Sequence, residues 1–145
     1  MIVIASDHAG VDLKARIVEL IGGVGHDVRD LGPTATTSVD YPDFAHAVAR
    51  AVAAGEAELG ILICGTGIGM SLAANRHPHV RAALCHDAFT AEMARRHNDA
   101  NVLCIGARST GSGVAEQMVG IFLETAFEGD RHQRRIDLIE IERGN

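Results

Sequence analysis

Short continuous apolar runs alternate with longer segments in which apolar residues recur every three or four positions. The short runs predict β-strands, and the longer segments predict amphipathic helices. The predicted strands are Ile2–Ser6, Val28–Leu31, Leu59–Cys64, Arg81–Cys85 and Asn101–Ile105. The predicted helices are a first one carrying Leu13, Ile17, Leu20 and Ile21, then Tyr41–Ala54, Met70–Arg76, Ala88–His97, Gly113–Ala126 and a final one from Asp130 onward.

This alternation of strands and helices indicates the fold class. Strands joined through helices pair in parallel by right-handed crossovers. We therefore expect an α/β protein with a Rossmann-like doubly wound sheet of five mainly parallel strands, flanked by helices and followed by a C-terminal helix. The apolar positions of that last helix are Ile136, Leu138, Ile139 and Ile141. Because no linker or low-complexity segment interrupts the pattern, residues 1–145 are predicted to form a single domain.

Composition narrows the class of protein. The formal charge of −6 argues against general nucleic-acid binding, which needs net or clustered positive charge. Three cysteines, an odd number, indicate reduced thiols rather than a disulfide framework. The first residues lack the basic start of a signal peptide, and no apolar stretch is long enough to span a bilayer. These features predict a cytoplasmic protein with neither a nucleic-acid nor a membrane partner.

The segment from Leu59 to Met70 is the most informative for chemistry. Its strand ends at Cys64 and passes directly into a glycine-rich turn that opens a helix. Backbone N–H groups at a helix start attract negative charge and favour a thiolate. A thiol base beside such donors suits removal of a proton from carbon while charge develops on a neighbouring oxygen. A buried structural cysteine is the alternative for Cys64, and it is the preferred interpretation for Cys85 and Cys104, which lack such a turn.

The same turn fits two other phosphate- or cofactor-binding loops less well. A cysteine-dependent phosphatase needs an arginine to close its loop, and Met70 stands at that position. A dinucleotide-binding fingerprint would need its third glycine at position 70, which is Met70. Asp87, after the next strand, does match the acidic residue that binds the ribose in that motif. Dinucleotide binding therefore stays open as an alternative. A Walker-type loop is excluded because the Gly-Lys-Ser/Thr ending is absent.

Further polar residues lie next to predicted strand ends, where ligands bind in sheets of this kind. Asp7 and His8 follow the first strand, and Arg108 follows the fifth. His97 and Asn98 close the fourth strand–helix unit, where they form a candidate acid–base group and a hydroxyl-binding amide. A helix-capping role is the alternative for Asp7. We expect all of these side chains to share one cleft with the cysteine loop.

The tail carries a basic segment, Arg131–Arg135. On a helix, Arg131 and Arg135 lie four residues apart and share a face. A solvated basic face is one interpretation, and a fork for a small anion such as a phosphate monoester is the other. His77 and His79 have no carboxylate or thiol at ligand spacing, so no metal site is predicted. The residues outline a small phosphorylated substrate, a thiol base, an anion hole and a histidine acid.

Several sequence blocks keep the order and spacing of one known family. They are Ser6-Asp-His-Ala-Gly10, Asp40-Tyr-Pro42, Gly60–Gly69, Ala74-Asn75, Arg81-Ala82, Arg96-His-Asn-Asp99, Asn101-Val-Leu103, Gly106-Ala-Arg108 and Gly129–Arg135. From residue 2 to about residue 142, the chain resembles ribose-5-phosphate isomerase type B. The resemblance implies interconversion of ribose 5-phosphate and ribulose 5-phosphate without a metal or an organic cofactor.

The resemblance also implies roles for individual residues. Cys64 corresponds to the base that moves a proton between C1 and C2, and the Thr66 hydroxyl to a group that helps shuttle a proton between the oxygens. His97 corresponds to the acid that opens the furanose ring, and Asn98 to a contact with a substrate hydroxyl. The backbone that would stabilise the enediolate belongs to Gly65, Gly67, Ile68 and Gly69. The site would be lined by Asp7 and His8, and the phosphate would be bound by Arg108, Arg131 and Arg135.

Quaternary structure and substrate follow from the same resemblance. Members of the family build their sites across a subunit boundary, so a homodimer or homotetramer is expected. The scaffold also serves galactose 6-phosphate, allose 6-phosphate and four-carbon ketose phosphates such as erythrulose 4-phosphate. The block Arg96–Asp99 favours the pentose, because galactose-type subunits commonly lack it. A phosphosugar-binding protein without catalytic activity is the alternative of a different class.

Overall fold

The computed structural model describes residues 1–141, and five parallel strands form one sheet in them. The strands are β1 (Ile2–Ser6), β2 (Val28–Asp30), β3 (Leu59–Cys64), β4 (Ala82–Leu84) and β5 (Val102–Gly106). Their order across the sheet is β2-β1-β3-β5-β4, and every neighbouring pair is parallel. The sheet order reverses between β1 and β3, which is the topological switch point where ligands bind in doubly wound folds. The predicted fold class is confirmed.

Six α-helices connect or follow the strands. They are α1 (Val11–Gly23), α2 (Tyr41–Ala53), α3 (Ile68–Ala74), α4 (Ala88–Asn98), α5 (Ser112–Glu124) and α6 (Arg131–Asp137), with a short 3₁₀ turn at His8–Gly10. Apart from the tail, the largest differences from prediction are at α3, which begins and ends two residues earlier, and at α5, which ends two residues earlier. The end of α5 is set by Thr125, whose backbone is extended and whose hydroxyl donates to the Ile121 carbonyl.

The sheet is covered on both faces. Helices α1, α4 and α5 pack on one face, and α2 and α3 pack on the other. All five residues of β1 and all five of β5 are buried. Because both faces of such a central strand are buried, its sequence is a continuous apolar run, without an alternation of apolar and polar residues. This explains why β1 and β3 could be predicted to the residue.

The tail differs from its prediction. Ile136 is buried against the rest of the protein, but helix α6 ends at Asp137. The N–H groups of Leu138 and Ile139 donate to carbonyls three residues earlier, and such tight turns terminate α-helices. Leu138, Ile139 and Ile141 are exposed, so the prediction that all four apolar residues belong to one helix is wrong. The end of that predicted helix, 142–145, lies outside the described residues.

The ends of the parallel strands define a carboxyl edge and an amino edge of the sheet. At the carboxyl edge, β1, β3 and β5 end at Ser6, Cys64 and Gly106. At the amino edge, β4 and β5 begin at Ala82 and Val102. A helix that follows a parallel strand runs back toward the amino edge, so its last residues lie far from the strand end that precedes it. None of the helices between residues 1 and 141 is long and apolar enough to cross a bilayer.

Candidate active site

The Cys64 thiol lies at the end of β3, inside a tight loop. Its residue is only 5% exposed, and the backbone N–H of Gly67 donates to Sγ at 3.1 Å. Gly67 has a φ of +80°, and a Cβ there would lie 2.6 Å from the Leu84 side chain and 3.0 Å from the Ile105 carbonyl carbon. Only glycine fits this position. The glycine therefore lets the backbone fold over the sulfur and direct an N–H group at it.

The rest of the loop is fixed by close packing and short hydrogen bonds. A Cβ on Gly106 would lie 2.7 Å from the Thr66 backbone, so the end of β5 and the loop are in direct contact. The Thr66 hydroxyl accepts from the N–H of Ile68, the first residue of α3. The Ser71 hydroxyl donates to the Ile68 carbonyl at 2.7 Å. These contacts fix the loop against the end of β5 and the start of α3.

Asp7, His8 and Arg108 surround the same edge. Asp7 is buried, and it accepts from the N–H of Ala9 as the cap of the 3₁₀ turn, so its capping interpretation is correct. Nδ1 of His8 accepts from the N–H of Val39, which assigns the ring proton of the neutral form to Nε2. The Arg108 guanidinium lies 3.5 Å from where a Cβ of Gly65 would be. The carboxyl edge thus brings together the thiol, a carboxylate, an imidazole and a guanidinium.

His97 and Asn98 lie at the opposite edge, which corrects the expectation of one shared cleft in a single chain. Helix α4 ends at Asn98, whose carbonyl accepts from Nε of Arg81, just before β4. The length of β5 therefore separates these residues from Cys64, and at roughly 3.3 Å per residue this is about 13 Å along the strand. The prediction followed the order of elements along the chain, whereas the end of a crossover helix returns to the amino edge.

Around His97, the amino edge holds a second cluster. The rings of His97 and His132 stack with centroids 4.4 Å apart and planes 14° apart. Oε2 of Glu128 lies 4.0 Å from Nε2 of His97 and 3.7 Å from Nε2 of His132. Arg96 donates from Nε to the other carboxylate oxygen of Glu128 at 2.7 Å. Burial lowers the pKa of His132, and the neighbouring charge of Arg131 lowers it further.

The two arginines of the tail belong to this cluster. Arg131 and Arg135 are exposed on α6, on either side of the buried His132 in sequence, whereas Arg108 lies at the carboxyl edge. The three predicted phosphate ligands are therefore divided between the two edges.

The amino-edge cluster also has the composition of a metal site. Among the described residues, His97, Glu128 and His132 are the group whose ligand atoms lie within 4.8 Å of one another. Imidazole and carboxylate suit transition metals. However, the lone pair of an imidazole nitrogen lies in the ring plane, and two nearly parallel stacked rings do not direct their lone pairs at one point. The observed arrangement is a ring stack, and a metal would require both rings to turn.

Glu128 and His132 were not predicted as site residues. Their spacing, four residues apart around the turn that precedes α6, offered a weak signal. The decisive information is the packing of α6 on α4, which the sequence pattern of either helix alone does not contain.

The remaining cysteines and Asp87 have structural surroundings. Cys85 and Cys104 are unpaired and buried in the core, as predicted. Burial raises the pKa of Cys85 to about 11 and that of Cys104 still higher. Asp87 caps α4 by accepting from the N–H of Thr90, and this bond lowers its pKa. Its capping role and the full burial of Met70 weigh against the dinucleotide alternative.

Comparison with known proteins shows which family this chain resembles. The family model described as Ribose/Galactose Isomerase matches residues 2–139. Ribose-5-phosphate isomerase B of Escherichia coli is 44% identical over 133 residues, covering 92% of this chain and 89% of that protein. The structure of type B ribose 5-phosphate isomerase of Trypanosoma brucei has a TM-score of 0.92 and 49% identity, with 95% of each chain covered.

A further solved structure contains a ligand. Ribose-5-phosphate isomerase B of Mycoplasma genitalium, with bound ribulose-5-phosphate, has a TM-score of 0.92 and 48% identity, covering 95% of this chain and 92% of that one. The family match spans most of the chain, and the solved structures share its fold over nearly their whole length. The chain therefore belongs to the Ribose/Galactose Isomerase family and is a sugar-phosphate isomerase.

Proposed function

We propose that the protein interconverts D-ribose 5-phosphate and D-ribulose 5-phosphate through an enediolate. The observation that carries this proposal is the position of the Cys64 thiol at the carboxyl edge, with the Gly67 N–H directed at its sulfur. The relatives named as ribose-5-phosphate isomerases and the ribulose-5-phosphate bound to one of them support the choice of sugar.

The carboxyl edge supplies the proton transfer. Cys64 takes the proton from the carbon next to the carbonyl and returns it to the neighbouring carbon. The enediolate oxygens receive hydrogen bonds from the backbone of the loop, Gly65, Gly67, Ile68 and Gly69, while the Thr66 hydroxyl moves a proton between them. Asp7 and His8 line this half of the site. Each 1.36 kcal/mol of enediolate stabilisation gives about a tenfold gain in rate.

The amino edge of a second copy supplies the remaining groups. His97 opens the furanose ring, Asn98 binds a hydroxyl, and Arg131 and Arg135 join Arg108 on the phosphate. Within one chain the length of β5 separates these residues from Cys64, which supports a site shared between two copies. Ile68 and Leu72, one turn apart on α3, are each more than half exposed beside the loop and give a second copy an apolar surface to cover. A homodimer is the smallest assembly that completes the site, which it would contain twice, and a homotetramer would contain two such pairs.

Other sugars remain as specific alternatives. The family includes ribose and galactose isomerases, so membership alone does not choose between a pentose and a hexose. Galactose 6-phosphate, allose 6-phosphate and erythrulose 4-phosphate could use the same phosphate and thiol contacts. A binding protein without turnover is disfavoured because both the thiol and the His97 imidazole are present. We further propose that residues 1–145 act as one isomerase domain, and that the three unpaired cysteines reflect a cytoplasmic location.

The test is a comparison of sugars with EDTA present. Ribose 5-phosphate should be converted rapidly, and erythrulose 4-phosphate and allose 6-phosphate slowly. Faster conversion of another sugar would keep the isomerase chemistry and change its substrate. Absence of turnover with every sugar would favour the binding protein, and a thermal shift with a dinucleotide alone would favour the cofactor alternative.

A further inference from the structure

We infer that Glu128 and His132 are positioning residues that hold the His97 ring in the orientation needed to open a furanose. The inference rests on the proposed function, because it assumes that His97 is the ring-opening acid. It assigns a task to two residues that lie outside the cysteine loop and that do not touch the reacting carbon atoms.

The first observation is the stack itself. The His132 side chain is 8% exposed, whereas the His97 side chain is 39% exposed, so the buried ring supports one face of the partly exposed one. A free side chain on the last turn of a helix can adopt several rotamers. Packing against a fixed flat ring removes most of them, so His132 determines which way His97 faces.

His132 is suited to support and poorly suited to proton transfer. Its Nε2 is buried and has no hydrogen-bond partner among the described groups. Burial lowers the pKa of His132, which disfavours a positive charge on the ring that supports His97. The charged groups that act on His132 are Glu128 on the preceding turn, Arg131 and Arg135 on its own helix, and His97 on α4.

Glu128 is fixed from two sides. Its backbone N–H donates to the Arg96 carbonyl, and its carboxylate accepts from Nε of the same arginine. This double tether to the end of α4 places Oε2 beside the Nε2 atoms of both stacked rings. The carboxylate thus attracts the Nε2 edge of the His97 ring and restrains the direction in which the ring faces.

The step that needs this orientation is the opening of the sugar ring. The His97 imidazolium donates a proton to the ring oxygen O4 as the bond between C1 and O4 breaks and its electron pair moves to O4. A lone pair on the C1 hydroxyl oxygen forms the carbonyl, and water takes the hydroxyl proton. The product is the open aldehyde on which the thiol acts. Misplacing the donor by about 1 Å can cost on the order of 100-fold in such a step.

The two sugars differ in their need for this step. Ribose 5-phosphate closes on itself through O4 and must be opened. Ribulose 5-phosphate has no such ring, because its phosphate occupies O5, the oxygen that would close a five-membered ring on C2. The thiol can therefore take a proton from C1 of ribulose 5-phosphate and return one from solvent without any ring opening, so this hydrogen exchange reports on the carboxyl edge alone.

The experiment measures two rates for the full-length protein and for Glu128→Gln, which can still accept the Arg96 hydrogen bond: conversion of ribose 5-phosphate, and exchange of the C1 hydrogen of ribulose 5-phosphate with D2O. We expect kcat/KM with ribose 5-phosphate to fall about tenfold or more, and the exchange rate with ribulose 5-phosphate to stay within about threefold. The matched control is Glu92→Gln, because Glu92 also pairs with Arg96, at 2.9 Å, but belongs to the preceding turn of α4. It should leave both rates within about twofold.

His132 provides a second, independent variant. His132→Ala should reproduce the selective loss with ribose 5-phosphate, and His132→Phe, which keeps a flat ring, should largely restore it. Equal losses from both sugars in Glu128→Gln and His132→Ala would show a structural role only and overturn the inference, as would unchanged rates with both. Failure of the proposed function looks different, since the unmodified protein would then convert neither sugar.

Discussion

The carboxyl edge and the amino edge of the sheet hold their proposed catalytic groups in different ways. At the carboxyl edge, Cys64 is fixed by a buried strand and by a glycine loop whose backbone folds over the sulfur. At the amino edge, His97 is held by side chains from a neighbouring segment, through ring stacking and a tethered carboxylate. The first arrangement is local in sequence, and the second depends on how α6 packs on α4. A residue's surroundings are therefore easier to predict from the sequence at the first edge than at the second.

The largest expected effect comes from removing the thiol at the carboxyl edge. Cys64→Ala should abolish isomerisation, a loss of about 100-fold or more, while the affinity for substrate changes little, because the base acts on the proton and not on binding. Steady-state rates and a direct binding measurement check this. The control is Cys85→Ala, a core thiol at the end of a different strand, which should keep its activity and lose some stability. Near-normal turnover without Cys64 would contradict its role as base.

The second prediction tests whether the groups at the two edges come from different chains of one assembly. Cys64→Ala and His97→Ala should each be inactive with ribose 5-phosphate, yet a reassembled mixture should recover about a quarter of normal activity. Random pairing makes half of the dimers mixed, and each mixed dimer has one site with both residues intact. Mixing each variant with itself is the control. No recovery, although mixed dimers form, would mean that both residues serve one chain's own site.

A smaller effect is expected from the phosphate ligands. Arg135→Ala should raise KM about tenfold with little change in kcat, because a phosphate contact persists from the ground state to the transition state. Arg134→Ala, on a different face of the same helix turn, should change neither constant appreciably. A large fall in kcat at constant KM would argue against the phosphate role.

The smallest effect concerns stability at the carboxyl edge. Gly67→Ala should lower the free energy of unfolding by about 1–3 kcal/mol, since it combines a positive φ with a clash against Leu84. Gly120→Ala, in the middle of α5 with open space around it, should instead raise it by up to about 1 kcal/mol. Denaturant unfolding of both variants measures the difference. A Gly67→Ala variant as stable as the parent would mean that the loop does not need its glycine.

The sequence predicts the carboxyl edge of the sheet better than the amino edge. The bounds of β3 and the loop after Cys64 could be predicted because a continuous apolar run and a glycine cluster mark them in adjacent residues. His97 was placed at the wrong edge because the prediction used only its order along the chain, whereas the last turn of a helix that follows a parallel strand lies at the amino edge. Glu128 and the end of α6 were missed because they depend on contacts between distant segments. Amphipathic spacing continues past Asp137 in the sequence, but the backbone turns there.

The proposed division of the site between two edges has a consequence for how activity depends on protein concentration. In the proposed assembly, a separated chain carries one half of each of two sites and can complete neither. Dilution below the dissociation constant of the pair would then lower the activity per chain, and bound sugar phosphate would oppose that loss by linking the two copies. Substrate would thus act as a factor that promotes assembly, and the cell's supply of it would help to set how much working enzyme is present.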